Sequence, residues 1–240
     1  MTRAAPLLLV LLAGCGGARR QAPISIAAAA DLNFALDEIA AHYPGQLRVS
    51  YGSSGNFFTA ISNGAPFDVF LSADVEYARR LARRPADVFT YAAGRLVVWV
   101  PAASPLDPAA ALASPAVRHL AIANPQHAPY GRAAEAALRH MGLWDALQPK
   151  LVLGENIVQT FQFAETGAAD AGIVALSLAM APAARGKGRY WEIPRDAYPP
   201  IEQGGLVLHD SPAARAFRDY LLTASGRRIL KQYGFAPPGK

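Results

Sequence analysis

The chain has 240 residues, of which 52% are hydrophobic and 17% are charged, and its formal net charge at neutral pH is +5. This composition excludes a disordered chain, and the length is enough for one large domain or two small ones, each with a buried core. The excess positive charge lies in arginine pairs without interleaved aromatic residues, so we expect solvated faces and no nucleic-acid partner.

The amino terminus has the pattern of a processing segment. Arg3 precedes an apolar run that is too short to span a bilayer as a finished helix, and the run ends in LAGC at 12–15. This resembles the lipobox of bacterial lipoproteins, which implies a signal peptide over 1–14, a lipid anchor on Cys15 and a flexible tether over 15–23. Cys15 is the only cysteine, so it has no disulfide partner. An ordinary secretory signal is the alternative, and both place the protein outside the cytoplasmic membrane.

From residue 24 onward, short apolar strands alternate with segments of helical spacing, which is typical of α/β units with a largely parallel sheet. The predicted strands cover 24–30, 47–49, 67–72, 96–101, 120–123, 151–153, 171–175, 190–193 and 205–208. The predicted helices cover 31–42, 56–62, 74–81, 132–141, 157–165, 176–184 and 212–233, with a turn at 124–131.

These units occur twice, once before about residue 100 and again after it, and the last strand and helix have no sheet of their own. We therefore predict an α/β fold of two lobes joined by two crossing strands. Lobe 1 covers 24–99 and 204–240, and lobe 2 covers 100–203. A ligand would lie in the cleft between the lobes, where strand ends and helix starts converge.

One turn between a strand and a helix combines the features of an anion site. The sequence YGSSGN at 51–56 offers two serine hydroxyls between two glycines, where a ligand can approach the backbone closely. The free N–H groups of a first helical turn favour an anion. The same tetrapeptide also fits a plain loop with a serine cap.

Six blocks in the chain resemble the periplasmic molybdate-binding proteins of ABC transporters, a type of bilobal solute-binding protein. The blocks occur in the same order as in that family. They are AAAADL at 27–32, YGSSG at 51–55, NGAPFDVFLSAD at 63–74, NPQHAPYG at 124–131, GIV at 172–174 and YGF at 233–235. The resemblance covers nearly all of the mature chain. It implies a cleft in which neutral hydrogen-bond donors alone hold a tetrahedral dianion.

Carried over position by position, the resemblance implies five oxyanion-binding positions. Ser54 supplies a hydroxyl and a backbone N–H, and Tyr130 and Ile157 supply backbone N–H groups from lobe 2. Asp31 stands where the family has Ser, Thr or Asn, and Ala175 stands where the family commonly has a tyrosine. Four further candidates are Ala30, Ser53, Asn56 and Ser177. Water, Asn56 or Ser177 could replace the donor that is missing at Ala175.

Asp31 is the main departure from the family pattern. A carboxylate about 4 Å from a dianion would be repelled by about 2 kcal/mol even in water, and by more in a cleft. We therefore expect the Asp31 side chain to point away and cap its helix, while its backbone N–H faces the ligand.

The resemblance implies an extracytoplasmic receptor that captures molybdate or tungstate for an ABC importer. We expect a monomer that has no cofactor and does not ligate a metal directly. Its expected partners are the permease and, through the lipid on Cys15, the membrane. A receptor for sulfate, phosphate or a small carboxylate is the alternative, and Arg132 is the one candidate to bind a carboxylate. A periplasmic hydrolase is less favoured, because a GxSxG motif is absent and no motif places a histidine or an acid beside Ser54. A scaffold lipoprotein is disfavoured by the absence of repeats.

Overall fold

The computed structural model describes residues 22–239, so the predicted signal peptide and Cys15 lie outside the described residues. The strands are β1 (Ile24–Ala29), β2 (Leu47–Gly52), β3 (Val69–Ser72), β4 (Val88–Gly94), β5 (Leu96–Pro101), β6 (Leu120–Ala123), β7 (Leu151–Gly154), β8 (Ala171–Ala175), β9 (Gly188–Glu192) and β10 (Ile201–Val207). The α-helices are α1 (Asn33–His42), α2 (Ser54–Ser62), α3 (Val75–Leu81), α4 (Pro129–His140), α5 (Trp144–Leu147), α6 (Ile157–Glu165), α7 (Leu176–Ala179), α8 (Pro212–Leu222) and α9 (Ala224–Gln232). Over this range no helix has both the length and the hydropathy to cross a membrane.

The strands form two separate five-stranded sheets, as in the predicted α/β fold of two lobes. The sheet of lobe 1 has the order β2-β1-β3-β10-β4, and the sheet of lobe 2 has the order β7-β6-β8-β5-β9. In lobe 1, β1 is parallel to β2 and β3, whereas β10 is antiparallel to β3 and β4. Lobe 2 repeats the arrangement, with β6 parallel to β7 and β8 and with β5 antiparallel to β8 and β9. The last strand thus returns to lobe 1.

The chain crosses between the lobes earlier than the predicted boundaries. β4 ends at Gly94 in lobe 1 and β5 begins at Leu96 in lobe 2, so a single residue, Arg95, lies between the two sheets. The chain returns through 193–200 to β10, which begins at Ile201. The boundaries predicted at 99/100 and 203/204 therefore fall inside β5 and β10. We propose Arg95 and 193–200 as the boundaries, because an apolar strand pattern does not reveal which sheet the strand joins.

Several elements differ from the sequence prediction. The short α5 was not predicted, α2 begins at Ser54 rather than at 56, and β10 begins at Ile201 rather than at 205. The helix predicted over 176–184 is the short α7 followed by a 3-10 turn over Pro182–Ala184. β4 was not predicted at all, and α4 begins at Pro129 rather than at 132, because proline suits the first position of a helix. The predicted helix over 212–233 is two helices. Thr223 between them has extended backbone angles, and its Oγ1 accepts the N–H of Gly226, which caps α9.

Each lobe has its own apolar core. In lobe 1 the core contains Leu36, Phe217 and Ile229, which places α1, α8 and α9 against the sheet. The core of lobe 2 includes Trp99 and Phe161. It extends to three small residues of lobe 1, which are Ala29, Ala30 and Ala73. Small residues at the ends of β1 and β3 therefore allow the two lobes to approach closely at the cleft.

Candidate ligand site between the lobes

A small cavity lies where both lobes meet. Its lining consists of Ala29, Ala30, Asp31, Gly52, Ser53, Ser54 and Ala73 from lobe 1, and Ala128, Pro129, Tyr130, Asn156 and Ile157 from lobe 2. The volume open to the centre of a water molecule is about 10 Å³. This closed conformation can take one compact group and excludes a sugar ring or a peptide.

Three helices begin at this cavity. Ser54 is the first residue of α2, Tyr130 is the second residue of α4, and Ile157 is the first residue of α6. An N–H group in a first helical turn has no carbonyl of its own helix to bond, and helix starts carry a partial positive charge. Two lobes thus direct neutral donors and three partial positive charges at one small space, which favours an anion.

The two serines of the YGSSGN turn have different tasks. Ser53 is the N-cap of α2, and its Oγ accepts the N–H of Asn56 at 3.3 Å. The Ser54 side chain is buried, and its Oγ accepts the N–H of Ala73 at 2.9 Å. Because that contact uses the oxygen as an acceptor, the hydroxyl hydrogen of Ser54 is free to donate into the cavity. The cap predicted for this turn is therefore present on Ser53, and the adjacent Ser54 offers a hydroxyl donor to the cavity.

Asp31 does not cap a helix, so this part of the prediction is wrong. It lies in a short 3-10 turn and is 1% exposed. Its Oδ2 accepts the hydroxyl of Tyr130 at 2.9 Å and also accepts Nε2 of Gln203. Burial raises the pKa of Asp31 to about 6, while the hydrogen bonds from Gln203 and Tyr130 act to lower it. Donors from other parts of the chain, rather than the local helix start, hold this carboxyl group.

Tyr130 contributes to both lobes. Its backbone lies at the start of α4, while its hydroxyl reaches Asp31 and is 3.3 Å from Nε2 of Gln203. Gly94, at the end of β4, makes room for this hydroxyl, since a side chain there would collide with it. Burial and the nearby Asp31 raise the pKa of Tyr130 well above its ordinary value, so the hydroxyl keeps its proton and remains a donor.

Comparison with known proteins agrees with this architecture. Residues 24–236 match the family described as bacterial extracellular solute-binding protein. The chain belongs to this family. The molybdate-binding protein ModA of Azotobacter vinelandii is 38% identical over 95% of this chain and 96% of its own length.

Two further relatives match this solute-binding protein over nearly its whole length. The solved periplasmic molybdate-binding protein of Azotobacter vinelandii superposes with a TM-score of 0.83 at 33% identity, over 90% of this chain and 99% of that one. A putative ABC transporter substrate-binding lipoprotein of Bacillus subtilis is 27% identical over 97% of this chain and 95% of its own length.

Three of the residues predicted to bind the ligand do not line the cavity of this solute-binding protein. Ala175 is buried beside Leu96 in the sheet of lobe 2 and precedes α7. Asn56 is exposed on α2. The Oγ of Ser177 donates to the backbone oxygen of Asp31 at 2.8 Å, so Ser177 positions the Asp31 turn instead of facing the cavity. The other six predicted residues line the cavity.

Two residues at or beside the cavity were not among those predicted from the sequence. Asn156 is the N-cap of α6, and its Oδ1 accepts the N–H groups of Val158 and Gln159 at 2.9 and 3.1 Å. An asparagine directly before a predicted helix was a usable signal for this role. Gln203 has no local signal, because only the tertiary fold brings β10 to Asp31.

Direct contacts between the lobes close the cleft. The N–H of Gly55 in α2 donates to the backbone oxygen of His127 in lobe 2 at 2.9 Å. Farther along the cleft, Arg132 of α4 donates to Asp74 Oδ2 at 2.6 Å and to the hydroxyl of Tyr77 at 3.1 Å. Arg132 does not line the cavity, so its contacts fit a bond between lobes better than a carboxylate-binding residue.

Proposed function

We propose that the protein is an extracytoplasmic receptor that captures molybdate or tungstate for an ABC importer. The observation that carries this proposal is the convergence of three helix starts and the Ser54 hydroxyl on one small cavity between two lobes. The extensive similarity to relatives named as molybdate-binding proteins supports the choice of ion.

The donor set suits a fully deprotonated tetrahedral dianion. Molybdate and tungstate accept hydrogen bonds at every oxygen, and the proposed contacts are all donors. These are the hydroxyl and N–H of Ser54 and the backbone N–H groups of Asp31, Tyr130 and Ile157, with Ala30 beside them. Sulfate has the same charge on a smaller tetrahedron, so the separation of the two lobes would select between the ions.

The assignment is to binding and not to catalysis. Within residues 22–239, Ser54 Oγ is hydrogen-bonded only to the backbone N–H of Ala73, whereas an activated serine needs a base. Ligand-induced closure would instead form the surface that a permease recognises, since both lobes contribute to it. We propose that the receptor works as a monomer with that permease.

We also propose that the mature protein is attached to a membrane through a lipid on Cys15. The LAGC sequence at 12–15 supports this anchor, and a relative from Bacillus subtilis is named as a lipoprotein. Changing Cys15 to serine should move the protein from the membrane fraction to the soluble extracytoplasmic fraction. Recovery of both forms in the soluble fraction would refute the anchor.

Calorimetric titration of residues 22–240 with molybdate, tungstate, sulfate and phosphate tests the ligand. We expect tight binding of molybdate and tungstate, and tight binding of sulfate without molybdate would overturn the assignment. Ser54→Ala should weaken molybdate binding by about 1.5–3 kcal/mol, as expected for a lost hydrogen bond to a charged group. Ser62→Ala is the matched control, because Ser62 is exposed at the opposite end of α2. Equal affinities of the two variants would remove Ser54 from the site.

A further inference from the structure

Two oxygen atoms buried beside the cavity lack a hydrogen-bond partner. They are Oδ1 of Asp31 and Oε1 of Gln203, and within residues 22–239 no other buried side-chain nitrogen or oxygen shares this property. The two residues already share one hydrogen bond, from Nε2 of Gln203 to Oδ2 of Asp31. Both unpaired atoms are acceptors when the carboxyl group is ionised. Buried acceptors are normally paired, so this pair of exceptions requires a physical cause.

Rotating the Gln203 amide does not remove the problem. Rotation would place Oε1 against Asp31 Oδ2, which brings two acceptors together. It would also take from Nε2 the carboxylate oxygen that it now contacts. The Tyr130 hydroxyl cannot supply the missing donor to Oδ1, because it already donates to Oδ2 at 2.9 Å. A single proton between Asp31 Oδ1 and Gln203 Oε1 would give both unpaired oxygen atoms a partner.

We propose that Asp31 is a carboxylic acid when the cleft is closed on its ligand, with the proton on Oδ1 donated to Oε1 of Gln203. Acid and amide then form two hydrogen bonds, one in each direction, and both buried oxygens are paired. The proposal rests on the proposed function, because a neutral Asp31 lets the cavity accept a dianion. Gln203 is the positioning residue that holds the proton.

The side chains that face Asp31 are uncharged, so none of them offsets a negative charge there, and the hydrogen bonds from Gln203 and Tyr130 lower the pKa of Asp31 less than burial raises it. The facing groups are the hydroxyl of Tyr130 from α4, the amide of Gln203 from β10 and Tyr91 from β4, whose hydroxyl donates to the backbone of Ser72. From α7, Ser177 contacts only the Asp31 backbone oxygen. Burial already raises the pKa of Asp31 to about 6, and a dianion in the adjoining cavity would raise it further.

The charged residues on the other elements that pack against the Asp31 turn bond elsewhere or are exposed to solvent. On α1, Asp37 accepts the Tyr51 hydroxyl at 2.6 Å, and Glu38 accepts the Tyr233 hydroxyl at 2.9 Å. On α6, Glu165 pairs with Lys187 at 2.7 Å. On β2, Arg48 is exposed, and on α4, Arg132 pairs with Asp74. No cation in the described chain is hydrogen-bonded to Asp31, so the proton is the remaining means of neutralising it.

This arrangement couples ligand binding to proton uptake. Opening the cleft would separate Asp31 from Tyr130 and admit water, so the pKa of Asp31 would return toward about 4. Closure on the dianion would raise it to about 6 or above, and the protein would take up a proton. The affinity for the dianion is then greatest at low pH, and it falls by up to about tenfold per pH unit as the pH rises between these two pKa values.

Calorimetry of molybdate binding in buffers with different ionisation enthalpies measures this proton directly. At about pH 6, wild type should take up a large fraction of one proton per ion, whereas Asp31→Asn should take up none because asparagine is neutral at every pH. The wild-type affinity divided by the D31N affinity should fall as the pH rises, and this ratio cancels the titration of molybdate itself. Asp37→Asn is the control, since Asp37 is an exposed carboxylate on α1 and should leave the proton number unchanged.

Three results would decide against the proposal. Equal proton uptake by wild type and D31N, with molybdate still bound, would overturn the assignment of the proton while leaving the proposed function intact. Failure of wild type to bind molybdate at any pH would overturn both. If D31N does not fold, infrared difference spectra of wild type decide: molybdate should produce a carboxylic-acid carbonyl band near pH 6, and a spectrum without that band would refute a protonated Asp31.

Discussion

Replacing Gly55 with alanine should prevent full closure of the cleft without weakening the fold of either lobe. A Cβ atom at this position would lie 2.5 Å from the backbone oxygen and 2.9 Å from the Cα of His127. An ordinary contact needs about 3.4 Å, so the lobes would have to separate by about 1 Å at this point. The hydrogen bond from Gly55 to His127, now 2.9 Å, would then exceed the usual limit.

The same separation would lengthen the proposed contacts from Tyr130 and Ile157 to the anion. Hydrogen bonds to a charged group contribute about 1.5–3 kcal/mol each, and partial loss of two gives about 2–4 kcal/mol. That loss corresponds to a molybdate affinity about 30- to 900-fold weaker. The ligand-free protein should be as stable as wild type or slightly more stable, because alanine is a better helix former than glycine and the conflict exists only in the closed form.

Titration calorimetry and thermal unfolding of the ligand-free protein together test this prediction. Asn56→Ala is the matched control, since Asn56 is the next residue of α2 and is exposed. Its affinity should equal that of wild type, which would also remove Asn56 from the candidate ligand residues. An affinity of G55A within twofold of wild type would refute the closeness of Gly55 and His127 in the liganded state. A lower melting temperature of the ligand-free variant would show a folding defect instead.

Three further predictions concern the cleft and the fold. Arg132→Gln or Asp74→Asn should speed molybdate dissociation up to about fivefold in stopped-flow experiments, because this half-exposed ion pair contributes about 1 kcal/mol or less. The effect should be smaller at high salt, which screens the pair, and unchanged rates at low salt would show that the pair does not hold the cleft closed. As the pH rises from about 4 to 6, the free energy of unfolding of the molybdate-saturated protein should fall by up to about 3 kcal/mol relative to that of D31N. Burial raises the pKa of Asp31, so the folded state holds the proton more tightly than the unfolded state does. Urea unfolding measures this difference, and parallel curves of stability against pH would contradict it. Thr223→Ala should lower stability by about 1 kcal/mol through the lost cap of α9 while leaving the affinity unchanged, and an affinity loss would place α9 in the closing motion.

Local sequence signals were sufficient for most of the strand and helix starts that form the candidate site. Ile157 follows Gly154, Glu155 and a capping asparagine, and α6 begins there as predicted. The helix predicted from 56 begins two residues earlier, at Ser54, because Ser53 is its cap. Pro129 was an equally local signal, since proline suits the first position of a helix. Reading 124–131 as a turn placed the start of α4 three residues too late.

Other features had no local signal. The pattern of β5 shows a buried strand, but pairing with β8 and β9 decides that it belongs to lobe 2. The break at Thr223 interrupts an amphipathic pattern that continues across it, because α8 and α9 both pack on lobe 1. Periodicity reports which residues are buried and does not report which element buries them.

Asp31 shows most clearly which features the sequence determines and which features only the folded structure determines. The sequence by itself placed a carboxylate at a turn that is predicted to bind an oxyanion, and the repulsion between like charges predicted that its charge is turned away from the ligand. Only the tertiary structure decided which groups contact the carboxylate, by bringing together Tyr130, 99 residues away, and Gln203, 172 residues away, at a side chain from which water is excluded. The strength of an electrostatic interaction depends on burial and on the nearest partners, and both are properties of the folded chain.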